Sequence, residues 1–425
     1  MKLLTFLGTG PYGETEYALG EQRRVTRYAP VASCAFLQPS GLVVFATQEA
    51  EAAHGAALQG EAGLPTRFVP VPKGQNTDEL WTIFRQVAEA VAEGEQVAFD
   101  VTHGLRSFPL IGLLAAAFLR AARRAELAAV LYGAYDVRDQ SVTPNRTPMF
   151  DLSPMMALLE WAAATDRFKR FGDGRDLAAL LRAAKDKSVR ASGFASDVIE
   201  KVKGLDSAAG TLESTALALR LIRPHEAMQA AAGIPAALKR ARPAIEATLA
   251  IQPFELLSED IEQALSPIAF DKPDDQTQIW ETLTVTRRMI GWCVEKQQFV
   301  QAITLAREWL VSWAMAHIGE YDLRNRELRE SVTSVFNSES RRWRETSAKA
   351  QFRPLWFRAV PGLTQALSLW NDLADTRNDI DHAGMRKNPR PAKDLVEQIK
   401  QLCRQLDALS LVAGNPTISA DPEEQ

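Results

Sequence analysis

QVAFDVTHGLRSFPLIGLLAAAFLRAARR, residues 96–124, decides the fold. QVAFDVT (96–102) is a short apolar run of strand length, and residues 106–124 keep helical apolar spacing before closing on arginines. Working outward, KLLTFLG (2–8), LVVFAT (42–47) and AAVLYGAY (128–135) read as further buried strands. VASCAFLQ (31–38), the stretch 48–60 and TDELWTIFRQVAEAVAEG (77–94) read as helices, the last with a Thr-Asp start and a closing glycine. Strands and helices alternating at this spacing predict βαβ units and a mostly parallel, doubly wound sheet over the first 150 residues or so. After Pro144 the pattern changes. FDLSPMMALLEWAAATDRF opens a region of helical periodicity that continues through 207–250, 276–320 and 361–412. The expected fold is therefore an α/β amino-terminal domain followed by an all-α carboxyl-terminal part, ending in a frayed acidic tail, GNPTISADPEEQ.

The chain has 425 residues, 46% hydrophobic and 24% charged, which suits a globular protein of two or three domains. A net charge of −4 argues against a basic coat over the whole surface and leaves room for a local basic patch. Cys34, Cys293 and Cys403 lie far apart, with no disulfide or metal spacing, so a reducing, cytoplasmic setting is expected. The apolar run Leu110 to Leu119 is about half of a membrane span, and no membrane association is expected.

Ligands of doubly wound sheets bind beyond the carboxyl ends of the strands. Those ends carry Gly8-Thr9-Gly10-Pro11-Tyr12-Gly13, Thr47-Gln48-Glu49 and Thr102-His103-Gly104-Leu105-Arg106-Ser107. The third is richest: two hydroxyls, an imidazole, an arginine and a glycine stand before a helix terminus that attracts anions, a set that suits a phosphate or nucleotide. GTGPYG matches the dinucleotide fingerprint in letters only, because Pro11, Tyr12, Glu14 and Glu16 start a phosphate-binding helix poorly. No acid ends the second strand to hold a ribose, which ranks hydride transfer low. On the residues alone, plain turns and caps without a ligand remain open.

DVTHGLRSFP, with LLTFLGTGPY and FATQEA, resembles the sensor domain of CRISPR-associated CARF proteins, most of all the branch that joins a CARF domain to a helical HEPN ribonuclease domain. The resemblance covers about the first 150 residues. It implies a Rossmann-like domain that dimerises and binds a cyclic oligoadenylate across its two-fold axis. Its contacts would fall on Gly8, Thr9, Gly10, Thr47, Thr102, His103, Gly104, Arg106 and Ser107. The activator would be cyclic tetra-adenylate, with cyclic hexa-adenylate the runner-up. His103 would be the candidate if the sensor also cut its own activator.

The same resemblance asks the helical part for an Arg-x4-His motif, and the chain has two: Arg220 to His225 and Arg377 to His382. Pro224 breaks the first, and its second position is Leu221. The second has Asn378 there, on the helical segment LTQALSLWNDLADTRNDIDHAG closed by Gly384. Arg377, Asn378 and His382 are therefore the expected catalytic residues, with no metal. Imidazole exchanges a proton near neutral pH, and guanidinium holds a phosphate. Five residues of helix advance about 7.5 Å and about 140°, so Arg377 and His382 do not share a face of a regular helix. Two facing copies, or a helix end near Gly384, would assemble such a site. Taken alone, a charged helix end with a histidine is equally a solvated surface.

RRWRETSAKAQFRPLWFR (341–358) has six basic residues against one acid, interleaved with aromatics. Arg341, Arg342, Trp343 and Arg344 are expected RNA contacts, with core aromatics and snorkelling arginines the alternative. The resulting expectation is a homodimer or higher oligomer that cuts single-stranded RNA to 2′,3′-cyclic phosphates when cyclic oligoadenylate binds. No stable association with the CRISPR effector complex is expected. Its domains would be 1–150 (sensor), 151–270 (coupling), 271–415 (ribonuclease) and 416–425 (tail). A regulator that senses a nucleotide and binds DNA or a protein through its helical half is the alternative.

Overall fold

A computed structural model describes residues 1–105, 107–248, 251–346, 360–385 and 387–411, with backbone only for 343–346. The chain divides into two compact units, Met1–Glu160 and Trp161–Gln425.

The first unit is built on eight strands: β1 (Lys2–Leu7), β2 (Thr15–Leu19), β3 (Gln22–Thr26), β4 (Gly41–Ala46), β5 (Thr66–Pro70), β6 (Gln96–Asp100), β7 (Glu126–Gly133) and β8 (Arg146–Asp151). They lie in the order β3-β2-β8-β7-β6-β1-β4-β5. The five strands β5-β4-β1-β6-β7 are parallel to one another. Helices α1 (Ala29–Leu37) and α2 (Gln48–Ala62) cover one face, and α3 (Thr77–Glu89) and α4 (Ser107–Arg123) cover the other. β1 shows why its sequence reads as one apolar run. Leu4 and Phe6 enter the core under α3 and α4, while Leu3 and Leu7 enter the core under α1 and α2. From β1 the chain steps outward to β4 and β5, then returns to β6 on the other side of β1, so strand order reverses between β1 and β6.

Five of the seven strand pairings are parallel, so the sheet is mostly parallel, with antiparallel pairings confined to one side. β8 runs antiparallel to β7, and β2 with β3 forms an antiparallel hairpin beside β8. The hairpin turns on Gly20, at φ +54°, and β3 is exposed at four of its five residues, so no apolar alternation announces it. β8 carries Pro148, which usually argues against a strand. The helix expected over 77–94 stops at Glu89. There the Glu95 carboxylate accepts the N–H of Ala92 at 2.9 Å and pairs with Lys2, and the Arg123 guanidinium takes the carbonyl of Val91. Tertiary partners end this helix before its glycine does.

The second unit is helical throughout its described residues. Ser196–Arg220 and Pro224–Ala247 pack along their lengths, so closely at Gly204 that a methyl group there would run into the carbonyl of Arg240. Ile279–Glu295, Phe299–His317, Arg326–Thr346, Leu363–Asp381 and Ala392–Gln405 enclose a core of Trp309, Trp313, Phe336 and Trp370. Residues before 270 are tied into this part: Trp292 donates its indole N–H to the carbonyl of Ala264 at 2.8 Å, and Gln298 donates to the carbonyl of Phe171 at 2.8 Å.

Candidate functional site

At the reversal point the loops after β1 and β6 touch. A Cβ on Gly8 would stand 3.4 Å from Cα of Gly104. The Tyr12 hydroxyl closes the first loop, accepting the N–H of Gly8 at 2.8 Å and donating to its carbonyl at 3.1 Å. Beneath the second loop, Asp100 is fully buried. It takes the Ser33 hydroxyl and, at 3.0 Å, the N–H of Thr102. Burial raises its pKa from 3.8 to about 6, against the pull of those hydrogen bonds. The Thr102 hydroxyl accepts the N–H of Gly133 at 2.8 Å, fixing the loop to the end of β7.

His103 is buried, and its ring lies 4.1 Å from that of Tyr12, centroid to centroid. Nε2 accepts the N–H of Ala29 at 3.0 Å, so the neutral ring carries its proton on Nδ1. Burial drives its pKa down to about 3, with His54 adding a smaller push in the same direction. A ring so engaged is a neutral binding surface and not a proton acceptor, which argues against His103 as the group that would cut the activator.

A cavity of about 200 Å³ opens beside this loop. Thr102 and His103 line it together with Arg27, Gly133, Tyr12, Tyr17, Tyr132 and Tyr135. Those are four of the chain's six tyrosines, and a fifth, Tyr28, packs its ring 5.8 Å from that of Tyr12. Aromatic faces beside a guanidinium and a loop of small polar residues can stack bases and pair with phosphate. Of the other expected contacts, Thr9, Gly10 and Gly104 are exposed on the two loops and Ser107 opens α4. The Thr47 hydroxyl caps α2, accepting the N–H of Ala50 at 3.2 Å. Arg106 lies outside the described residues. The tyrosines were missed because they sit on β2, β7 and the turns around them, and the hairpin itself was not read; their concentration near strand ends was the available signal.

The buried carboxylate predicts a pH dependence. A group whose folded pKa is raised contributes stability at low pH that is lost as pH rises through the interval from the unfolded to the folded value. Between about pH 4 and about pH 7, wild-type stability should fall by about 2 kcal/mol relative to Asp100→Asn, which carries no charge and whose one amide oxygen can still accept the N–H of Thr102 while its NH2 turns to the Ser33 hydroxyl oxygen. Urea unfolding of the two proteins at both pH values measures this. A constant difference would mean that Asp100 is not held in this way.

In the helical unit, Arg377 stands in the last turn of Leu363–Asp381 and His382 caps that helix. His382 is the first residue beyond the helix, and Ala383 and Gly384 follow at φ +52° and +70°. Gly384 donates to the carbonyl of Asp379 at 2.9 Å, and His382 donates to that of Asn378 at 3.1 Å, closing the helix as glycine-terminated helices do. Arg377 reaches along the last turn to Asp381, Nε to Oδ2 3.1 Å. Asn378 and His382 are exposed, while Asp379 is buried and accepts the N–H of Arg390 at 3.2 Å. The other motif is split. Arg220 ends one helix, Pro224 begins the next, and His225 Nδ1 pairs with the Asp274 carboxylate. Arg341 is exposed, and Arg342 pairs at 3.1 Å with Glu339, which is buried. The side chains of Trp343 and Arg344, and all of 347–359, lie outside the described residues. Among the described residues, no group of three or more His, Cys, Asp or Glu side chains is arranged to hold a metal ion, and no helix is long and apolar enough to cross a membrane.

No family model matches the chain. Over 119 residues, 27% of its length, it is 29% identical to the CRISPR-associated protein MJ1674 of Methanocaldococcus jannaschii. The match spans 18% of that relative. The chain thus combines an α/β unit, a helical unit and sequence similarity to a CRISPR-associated protein.

Proposed function

We propose that this protein is a CARF–HEPN endoribonuclease of type III CRISPR defence, activated by a cyclic oligoadenylate and cutting single-stranded RNA without a metal. The observation that carries the reading is the helix end at Arg377 to Gly384, which brings a guanidinium and an exposed imidazole to one terminus. Arg377 exchanges its surface partner Asp381 for the scissile phosphate. His382 accepts the proton of the 2′-hydroxyl, whose oxygen bonds to phosphorus as the bond to the 5′-oxygen breaks. That oxygen leaves with a proton from the second copy's imidazole, giving a 2′,3′-cyclic phosphate and a 5′-hydroxyl. Asn378 positions the phosphate or the imidazole.

The tyrosine-lined cavity and the loop Thr102 to Ser107 form half of the activator site, completed by the same loop of a second copy. Leu110, Leu114 and Phe118 run down α4 directly from that loop and are 60%, 53% and 47% exposed. This apolar ladder is the face on which a second copy packs. Residues 151–270 couple the sensor to the ribonuclease at 271–415. RNA cleavage measured with no ring, with cyclic tetra-adenylate and with cyclic hexa-adenylate tests the reading. Cleavage should rise at least about tenfold with the tetra-adenylate, the response of a switch driven by differential binding. Cleavage that ignores both rings overturns the activator assignment, and binding of a ring without any cleavage favours the regulator.

A further inference from the structure

The helix Arg326–Thr346 turns one polar face outward. Arg326, Glu330, Thr333, Ser334 and Asn337 fall at steps of four, seven, eight and eleven residues, while Val332 and Phe336 are buried behind them. That face forms one wall of a groove of about 460 Å³, whose lining also includes Arg324 and Arg329 and, from Phe299–His317, Glu308. A second cavity, of about 240 Å³, shares Glu308, Arg324 and Arg329 with it. At the other end, Asn337 accepts the indole N–H of Trp370 at 3.0 Å, and the guanidinium of Arg307 lies 4.6 Å over that indole. Trp370 is seven residues before Arg377, so the two stand on one side of their helix, two turns apart.

We infer that this groove is the track for the RNA strand, running from Arg324 past Arg326, Arg329 and Asn337 to Arg307 and the Arg377 helix end. From Arg326 to Asn337 it extends about 16 Å, the length of a few nucleotides. Five guanidinium groups follow the path, with Glu308 and Glu330 between them and Asp274 and Asp381 at its ends. The Arg326–Glu330 pair is solvent-exposed, so a phosphate displaces its carboxylate at little cost. Arg307 is less free. Its side chain is 19% exposed and pairs with Glu308 at 2.9 Å; burial lowers its pKa, Glu308 opposes that shift, and the charge of Arg377 adds to it. Glu308 is the anion that this desolvated cation now holds, and an RNA phosphate would take its place. Thr333, Ser334 and Asn337 supply the neutral groups that meet sugar and phosphate oxygens in single-strand sites.

This inference rests on the ribonuclease reading for its choice of ligand, and its test separates the two. In a His382→Ala parent, binding of a short fluorescent RNA is measured over a range of salt for Arg324→Glu with Arg326→Glu. The control pair is Lys201→Glu with Arg242→Glu, which changes net charge equally on exposed helix faces elsewhere. The groove pair should bind about tenfold or more weakly, with a salt slope shallower by about 1.4, or 0.7 for each of two lost phosphate contacts. The control pair should match the parent. Equal behaviour of the two pairs overturns the groove. Weak binding by the groove pair together with cleavage that survives in the parent keeps the groove and removes the catalytic assignment. A parent that binds no RNA overturns both.

Discussion

His382→Ala is expected to lower activator-dependent RNA cleavage by about a hundredfold to ten-thousandfold, the range for removing a positioned acid–base group. The substitution spares the fold, because the helix closes through the backbone of His382, Ala383 and Gly384. Arg377→Ala should produce a loss of similar size. Its ion pair with Asp381 is exposed to solvent and contributes at most about 1 kcal/mol, so unchanged thermal unfolding beside lost cleavage would assign the effect to chemistry. Initial rates on a labelled RNA, with unfolding curves for each variant, measure both. A His382→Ala protein cutting at the wild-type rate would remove the proposed site. His225→Ala separates the two motifs: its imidazole is turned to Asp274 across a helix break from Arg220, and cleavage should continue.

The parts legible in the sequence are those whose pattern is local. β1, β4 and β6 are buried on both faces beyond their first residues, and β7 from Ala129 to Leu131, so each reads as an apolar run, and the helices between them fix the doubly wound order. The hairpin β2–β3 failed to show because its outer strand is polar at four of five positions, and β8 because Pro148 sits inside it. The helix terminus at Gly384 was readable because a left-handed cap needs a residue that tolerates it. By contrast, the tyrosine cavity gathers Tyr12 and Tyr17 with Tyr132 and Tyr135 from more than a hundred residues away. The groove joins Arg307 and Trp370, from two helices, with Arg324 on the turn before a third. Such sets exist only once the chain has packed, and no spacing along it reveals them. The Thr47 hydroxyl shows the converse: a residue at the right strand end whose visible role is to cap a helix.

Gly104→Ala is expected to cut the activator response while leaving the rest of the molecule folded. Gly104 sits at φ +109°, a backbone region that side-chain-bearing residues rarely occupy. A Cβ there would point inward, 3.1 Å from Cβ of Phe6 and 3.1 Å from Cδ2 of Phe108, both fully buried. Neither ring can retreat, since Phe6 also packs against Phe45 and Phe108 begins the buried side of α4. The strain, about 1 to 3 kcal/mol, is relieved by moving the loop that carries Thr102 and His103 away from the loop of Gly8. The activator concentration for half-maximal cleavage should then rise about tenfold or more, since about 1.4 kcal/mol lost from binding is tenfold in affinity. Gly60→Ala, in open space on α2, is the control and should leave the response unchanged. Titration of both variants with cyclic tetra-adenylate, by calorimetry and by cleavage, gives the comparison. A Gly104→Ala protein with wild-type affinity would mean that the ligand does not use this loop, and the sensor site would have to lie elsewhere on the sheet.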